Sequence, residues 1–458
     1  MTFRVPNTLA LLFFLMVAAL VATWIIPQGA FETELNAQGR AMVVPGSYAV
    51  NETRELMSPL ALFTAIPRAF ASAGDIIFFL FIIGGVLAVI RATGTIDALL
   101  GRLLSRFGGQ PALLIAAVIF VFALASSAVG SSGEYIPFVL ILVALCRAMR
   151  MDPMTAVAMI ICGYGVGYGV AAFNPYTVVV AQGVAELPTY SGWPVRLGLL
   201  LPFGLIAVHH VWSYADRVRR DPSASLVRDE GLVESAEPPT DYPAMHGGHL
   251  AIVIGFFIAL GTAVWGIATR GWYLNELGAA FLILGLFAAA VGKLGPSATS
   301  EKFIEGAKDL TETALLVGVA RGIALIMEDG QILHTIVHYL SLPLSLVGSE
   351  LSAVGMLTIQ SLLNFFIPSG SGQAFVTMPL MAPLGDLVGV SRQVSVLAYQ
   401  LGDGLTNMII PTNAILMGIL GMAGISYSKW LKFAWPLMLK LFACAAVVLV
   451  AAVWMGFQ

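Results

Sequence analysis

Two carboxylates, Glu134 and Asp403, sit inside stretches that are otherwise uncharged and strongly apolar. An acid at bilayer depth costs roughly 2.5–3.5 kcal/mol on insertion scales, which makes each a candidate for function. Two near a midplane suit a cationic amino group, a coupling cation or a proton relay. They suit a dianion poorly unless they are protonated or paired. Glu134 ends the first of two serine- and glycine-rich interruptions, SSAVGSSGE at 126–134 and IPSGSGQ at 367–373. Each interruption is followed by another, AFNP at 172–175 and IPTN at 410–413. A half-helix starting at such a break presents unpaired N–H groups and a positive dipole end. Small residues let a solute approach that backbone: Ser131, Ser132 and Gly133 in one tip, Ser369, Gly370, Ser371 and Gly372 in the other. Facing them stand the Asn174 and Asn413 amides, the Thr412 hydroxyl and carbonyls freed by the breaks. A substrate carboxylate fits the N–H side. A sodium ion fits the carbonyl and hydroxyl side, near Ser132, Asn174, Ser371 and Asn413. The alternative is a pair of packed kinks in which Ser and Gly permit close helix contact.

Spacing favours the site. Ser132 and Ser371, Gly133 and Gly372, Glu134 and Gln373, Gly163 and Gly402, and Asn174 and Asn413 share one offset of 239 residues. Two broken segments in corresponding halves are the best sequence pointer to a carrier's binding site. The halves are unequal, because Gln373 stands where the first tip has Glu134. Arg321, well inside an apolar run, is a counter-ion for Asp403 or a direct contact for a substrate carboxylate. Gln360, Asn364, Tyr164, Tyr168, Gln400 and Asn407 are weaker lining candidates, with helix–helix hydrogen bonding as their alternative role.

The elements that must hold these residues are membrane helices. Hydrophobic residues make up 58% of the 458 and charged residues 11%, which excludes a soluble domain. Cys146, Cys162 and Cys444 form no disulfide or metal pattern, and HTIVH at 334–338 lacks the glutamate of a zinc protease helix and reads as interfacial. No basic cluster suggests nucleic acid, and no nucleophile–base constellation suggests an enzyme. A channel would need a continuous polar pore, whereas polarity here is confined to the midplane.

Basic residues place the N-terminus and the polar linker on the cytoplasmic side by the positive-inside rule. The fold expected is an all-α polytopic membrane protein with an inverted-topology repeat, two re-entrant hairpins and two broken helices. Residues 1–57 hold a first helix and an external loop. Repeat one spans 58–190, with a hairpin at 111–149 whose two apolar arms are too short to count separately and a broken helix at 154–185. A helix at 191–213 and a cytoplasmic linker at 214–248, read as a plain tether, follow. Scaffold helices lie in 249–297. Repeat two spans 298–427, with a hairpin at 350–390 and a broken helix at 391–425, and 428–458 holds the last helix.

LLNFFIPSGSGQAFVTMPLMAPLGDLVGVSRQVSVLAYQLGDG at 362–404, AFNPYTVVVAQGVA at 172–185 and IRATGTID at 90–97 carry a family resemblance. The chain resembles the YfcC-like basic amino acid antiporters of the C4-dicarboxylate anaerobic carrier group, within the ion transporter superfamily. That resemblance implies a homodimer, a scaffold with a mobile elevator-type transport domain, and one substrate held between hairpins and broken helices. It implies a multi-pass protein of the bacterial inner membrane. The tips depart from the Ser-Asn-Thr pattern of dicarboxylate carriers: they read SSGE and SGSGQ, and Glu134 moves the expectation toward a solute with a positive group. The expected function is secondary active transport of a small carboxylate-bearing solute, most simply an amino acid, by exchange or ion coupling. The alternative is a sodium- or proton-coupled carrier of C4-dicarboxylates or short-chain acids. No cofactor is expected beyond a coupling Na+ or H+.

Overall fold

The computed structural model describes residues 8–458 apart from 36–40, 45, 53–54, 108–109, 131, 175, 231–242, 271 and 273. Apolar sequence in lipid must satisfy its own backbone, and helices do so. Among the described residues six helices are long and apolar enough to cross a membrane, or seven if one pair bent by 44° counts as a span. The chain is a polytopic all-α membrane protein.

Helix α1 (Thr8–Ile25) leads to two short antiparallel ribbons, β1 (Gly29–Ala30) with β4 (Ala49–Val50) and β2 (Thr33–Leu35) with β3 (Ala41–Val43). Strands this short leave no alternating pattern in sequence. Then come α2 (Ala61–Ser72), α3 (Gly74–Ala92), α4 (Thr95–Phe107), α5 (Pro111–Val129), α6 (Phe138–Ala148), α7 (Pro153–Val170), α8 (Val178–Val184) and α9 (Trp193–Arg220). The second half holds α10 (Gly247–Arg270), α11 (Leu274–Val291), α12 (Pro296–Asp309), α13 (Thr311–Asp329) and α14 (Leu333–Ser341). It ends with α15 (Ser349–Phe366), α16 (Gly370–Val388), α17 (Arg392–Thr406), α18 (Ala414–Met422) and α19 (Tyr427–Trp454).

Element order recurs. The α2–α3 pair, the α5/α6 and α7/α8 units and α9 correspond in order to α12–α13, α15/α16, α17/α18 and α19. Matched members agree in size, with 19 residues in α3 and α13 and 28 in α9 and α19. One difference from the sequence expectation is α5, which at 19 residues is long and apolar enough to cross a bilayer by itself, whereas α6 has 11. The amphipathic α4, between α3 and α5, is an element the sequence reading did not name.

The helices pack in two groups. Helices α1, α2 and α3 lie against α11, α12 and α13, with α10 on α11; α5 to α9 lie against α15 to α19. Helix α18 packs on α13 and joins the groups. The centre of the second group is α7 crossing α17, and both are buried almost throughout. Their crossing is tight because Gly404 backs onto Gly169: a Cβ on Gly404 would lie 2.2 Å from the Gly169 nitrogen.

The linker is more than a tether at its start. Tyr214 and Ser225 hydroxyls donate to buried Asp152 Oδ2 at 2.5 and 2.7 Å, and Lys429 pairs with Asp229 at 2.6 Å. Asp152 is also the N-cap of α7, accepting from the Thr155 N–H. One carboxylate thus fixes the helix start and docks the chain that follows α9.

Candidate functional site

Both breaks have local causes. Helix α7 stops at Val170 and the chain restarts as a helix at Val178; α17 stops at Thr406 and restarts at Ala414. Each unwound stretch is longer than the Asn-Pro and Pro-Thr-Asn motifs alone suggest. Asn174 Oδ1 accepts from the Tyr176 N–H at 2.9 Å. Asn413 Oδ1, at the repeat-related position, accepts from the Ile415 and Leu416 N–H groups at 3.0 Å and caps α18. These asparagines shape the backbone turns, and Asn413 Nδ2 also donates to Asn407 Oδ1 at 2.9 Å.

Freed carbonyls at membrane depth need partners. In the second break they find side chains: Trp430 donates to Met408 O, Tyr427 to Ile409 O and Tyr164 to Asn407 O, while Asn364 adds a second donor to Asp403 O, which already accepts from the Asn407 N–H. Thr412 Oγ1 donates to Phe365 O at 2.9 Å and ties this break to the end of α15. In the first, Ser127 is the anchor: its hydroxyl accepts from the Ala172 N–H and its carbonyl from the Phe173 N–H, both at 2.9 Å. Gly130 ends α5 with φ +76°, a conformation glycine adopts without strain. A Cβ there would meet Asn174 Oδ1 at 2.7 Å, so the first tip touches the first break.

The second tip is the start of α16. Ser369 is its N-cap, its hydroxyl accepting from the Gly372 N–H. Tyr399 reaches from α17 to donate to the Gly370 carbonyl at 2.6 Å. A Cβ on Gly370 would lie 2.5 Å from Thr177 Cγ2, 3.2 Å from Asp403 Oδ2 and 3.5 Å from the Tyr399 hydroxyl, so the tip rests on a polar floor.

Between these four elements lies a cavity of about 360 Å³. Gly130 and Ser132 of the first tip line it, as do Ser369, Gly370 and Ser371 of the second. Tyr176 and Thr177 come from the first break, Asn407, Asn413 and Ala414 from the second, and Tyr164 and Tyr168 from α7. Neither arginine nor lysine lines it among the described residues. The volume falls within the range of small-molecule sites.

Of the residues singled out in sequence, Ser132, Ser369, Gly370, Ser371 and Asn413 meet at this cavity, as do Tyr164, Tyr168 and Asn407 of the weaker candidates. Asn174 sits behind Gly130, Thr412 faces α15, and Gly372 is one residue deeper in α16. Gln373 turns away: its amide donates to Gln360 O and Oε1 at 2.9 and 2.7 Å, inside the second hairpin. Gly133 is buried against Leu274 in a short 3-10 turn, Gly133–Tyr135. Ser131 and the Glu134 side chain lie outside the described residues. Arg321 is no partner of Asp403. It pairs with Glu328 at 3.0 Å and donates to Ser72 Oγ, because its place on α13 faces α2 in the other helix group.

Thr177, Tyr176 and Tyr399 went unnoticed in sequence. Thr177 accepts from the Gln400 amide at 3.0 Å, a link between the first break and α17 that no local pattern could reveal. The 239-residue offset also pairs Asp403 with Tyr164. Each acid thus has a neutral polar residue at its related position, and the two acids belong to different pairs.

A polytopic helical bundle with two broken helices converging on a polar cavity has the architecture of a membrane transporter. Over residues 5–454 the sequence matches the model of the C4-dicarboxylate anaerobic carrier, DcuC, and the chain belongs to that family. It is 32% identical to the Escherichia coli protein named "Putative basic amino acid antiporter YfcC", across 99% of this chain and 97% of that one. It is 28% identical to an uncharacterized protein of Haemophilus influenzae, with the same shares covered. Among solved structures, the Alcanivorax borkumensis YdaH transporter aligns over 99% of both chains with a TM-score of 0.43 and 16% identity.

Proposed function

We propose that this transporter moves a small solute bearing one carboxylate and one positive group, most simply an amino acid, with a basic side chain as the favoured case. The observation that carries the proposal is the cavity: both tips and both breaks line it, and among the described residues it offers hydroxyls and helix-start N–H groups but no arginine or lysine. A single carboxylate can be held by Ser132, Ser369, Ser371 and the first N–H groups of α16. A second negative charge would find no cation. Glu134, at the turn beneath the first tip, supplies the acid for the solute's positive group, with Ser131, Gly133, Gly372, Asn174, Thr412 and Asn413 shaping the cage.

The repeated element order supports an inverted repeat with α5/α6 and α15/α16 as re-entrant hairpins. The two packing groups support an elevator in which α5–α9 and α15–α19 move against a scaffold that forms a homodimer in the bacterial inner membrane, with the N-terminus cytoplasmic. The name of the E. coli relative agrees with an amino acid cargo. The family description favours a second reading, a C4-dicarboxylate exchanged or coupled to an ion.

Binding to purified protein decides between them. Arginine, lysine, ornithine, succinate and fumarate are each added in a thermal-shift assay, with and without sodium and across pH. At least one basic amino acid is expected to raise the melting temperature, and Glu134→Gln to abolish that rise. Stabilisation by succinate with none by the amino acids would refute the cationic reading.

A further inference from the structure

Resting on the carrier proposed above, one feature beneath the second tip is distinct from the cavity itself. Asp403 is 1% exposed, and its Oδ2 has no hydrogen-bond partner. Its Oδ1 has only a long contact, 3.5 Å from Asn407 Nδ2. Three buried amide oxygens on the surrounding helices share the condition: Gln400 Oε1, Asn364 Oδ1 and Gln373 Oε1. Amide orientation is assigned from hydrogen bonding, and here it is well determined. The Asn364 nitrogen donates to Asp403 O, Thr406 Oγ1 and Asn407 Oδ1. The Gln373 nitrogen donates to two Gln360 oxygens, and the Gln400 nitrogen to Thr177 Oγ1 and Tyr168 O. Flipping Asn364 or Gln373 would set oxygen against oxygen, and Gln400 is oriented by Tyr168 O, which only its nitrogen can meet as a donor.

Every unpartnered side-chain atom on α15, α16 and α17 is therefore an acceptor. Buried polar groups are ordinarily satisfied, and a buried carboxylate ordinarily has a counter-charge. Among the described residues no basic side chain supplies one. The nearby titratable groups are Tyr399 on the same helix and Tyr164 and Tyr168 on α7. The acids of α15 and α16, Glu350 and Asp386, lie at the far ends of those helices, bonded to Trp454 and Arg392. What is missing is positive charge. Oxygen donors suit a hard cation. One carboxylate, with no cluster of three acidic, histidine or cysteine ligands among the described residues, suits a monovalent one.

We propose that Asp403 Oδ2, with Gln400 as its neighbour one turn away, forms a sodium site under the Gly370 tip. Neither Asp403 nor Gln400 lines the cavity, and the seated tip, whose Gly370 does, covers them. Tyr399 and Thr177 complete its roof contacts with Gly370. An ion bound there leaves only when the tip lifts, so sodium binds before the second hairpin closes.

The test uses the full-length protein in detergent with no organic solute present. Melting temperature is measured while NaCl replaces choline chloride at constant ionic strength and fixed pH, then across pH without sodium. A bound ligand stabilises by an amount that grows with the logarithm of its concentration. The wild type is expected to show that sodium dependence and Asp403→Asn to lose it. Gly370→Ala, which pushes the tip off its floor, is expected to raise the sodium concentration for half-effect at least tenfold, and it serves if Asp403→Asn fails to fold. No sodium dependence in the wild type, the same dependence in Asp403→Asn, or a pH effect that replaces sodium would overturn the site. Because no organic solute is used, a sodium response without amino acid binding sinks the cargo proposal alone. Amino acid binding without a sodium response sinks the site alone.

Discussion

Asn413 performs two tasks with one side chain: its oxygen caps α18 and its nitrogen holds Asn407. Replacing an N-cap asparagine by alanine costs about 0.5–2 kcal/mol. Here the loss also frees the second break at the cavity wall. Asn413→Ala is therefore expected to lower the melting temperature and to weaken solute binding at least severalfold. A variant that melts lower but binds as before would leave Asn413 a cap and nothing more. The polar types at the tips were legible in sequence, since serine and glycine in an apolar run stand out against their surroundings. Their partners were not. Arg321 has the charge to neutralise Asp403, yet it sits on a helix of the other packing group. Thr177 and Tyr399 look ordinary in sequence and matter only because the start of α8 and the middle of α17 meet under Gly370.

At the level of elements, the crossing of α7 and α17 sets the geometry of both breaks. Gly404 meets the backbone of Gly169, which cannot give way as a flexible side chain would. Gly404→Ala should cost about 1–3 kcal/mol by overpacking. Gly183→Ala on α8 is the matched control, with nothing within 4 Å of its Cβ, and should be neutral or slightly stabilising through helix propensity. Thermal melting of the two variants in the same detergent checks the contrast, and equal melting would mean the crossing tolerates separation. Helix positions were largely readable because apolar runs of about 20 residues are what a bilayer demands. The amphipathic α4 and the ribbons were not, since neither carries the continuous apolar signal.

Across the whole molecule, the two helix groups meet where α18 packs on α13, with a Cβ on Gly421 falling 2.6 Å from Thr313 Oγ1. If the groups slide past one another during transport, linking them there should stop the cycle. Thr313→Cys with Gly421→Cys, in a chain whose Cys146, Cys162 and Cys444 are replaced by serine, is expected to lose transport on oxidation. Solute binding should persist, and reduction should restore flux in proteoliposomes. Unimpaired flux with the bond formed would refute relative motion at this contact.

By itself the sequence determined that the protein is a helical membrane protein, and it placed two interruptions in each half at one shared offset. Those are local consequences of hydropathy and of where serine, glycine, proline and asparagine deny lipid a closed helix. Only the tertiary structure decided which interrupted residues face one cavity. Convergence depends on how α5, α7, α15 and α17 cross, and side-chain direction there follows from packing between segments more than two hundred residues apart. It also moved Gln373 inward and left Asp403 Oδ2 without a partner beneath the tip. An acid in an apolar run announces that something must meet it; what is missing becomes visible only when every neighbouring donor has been placed.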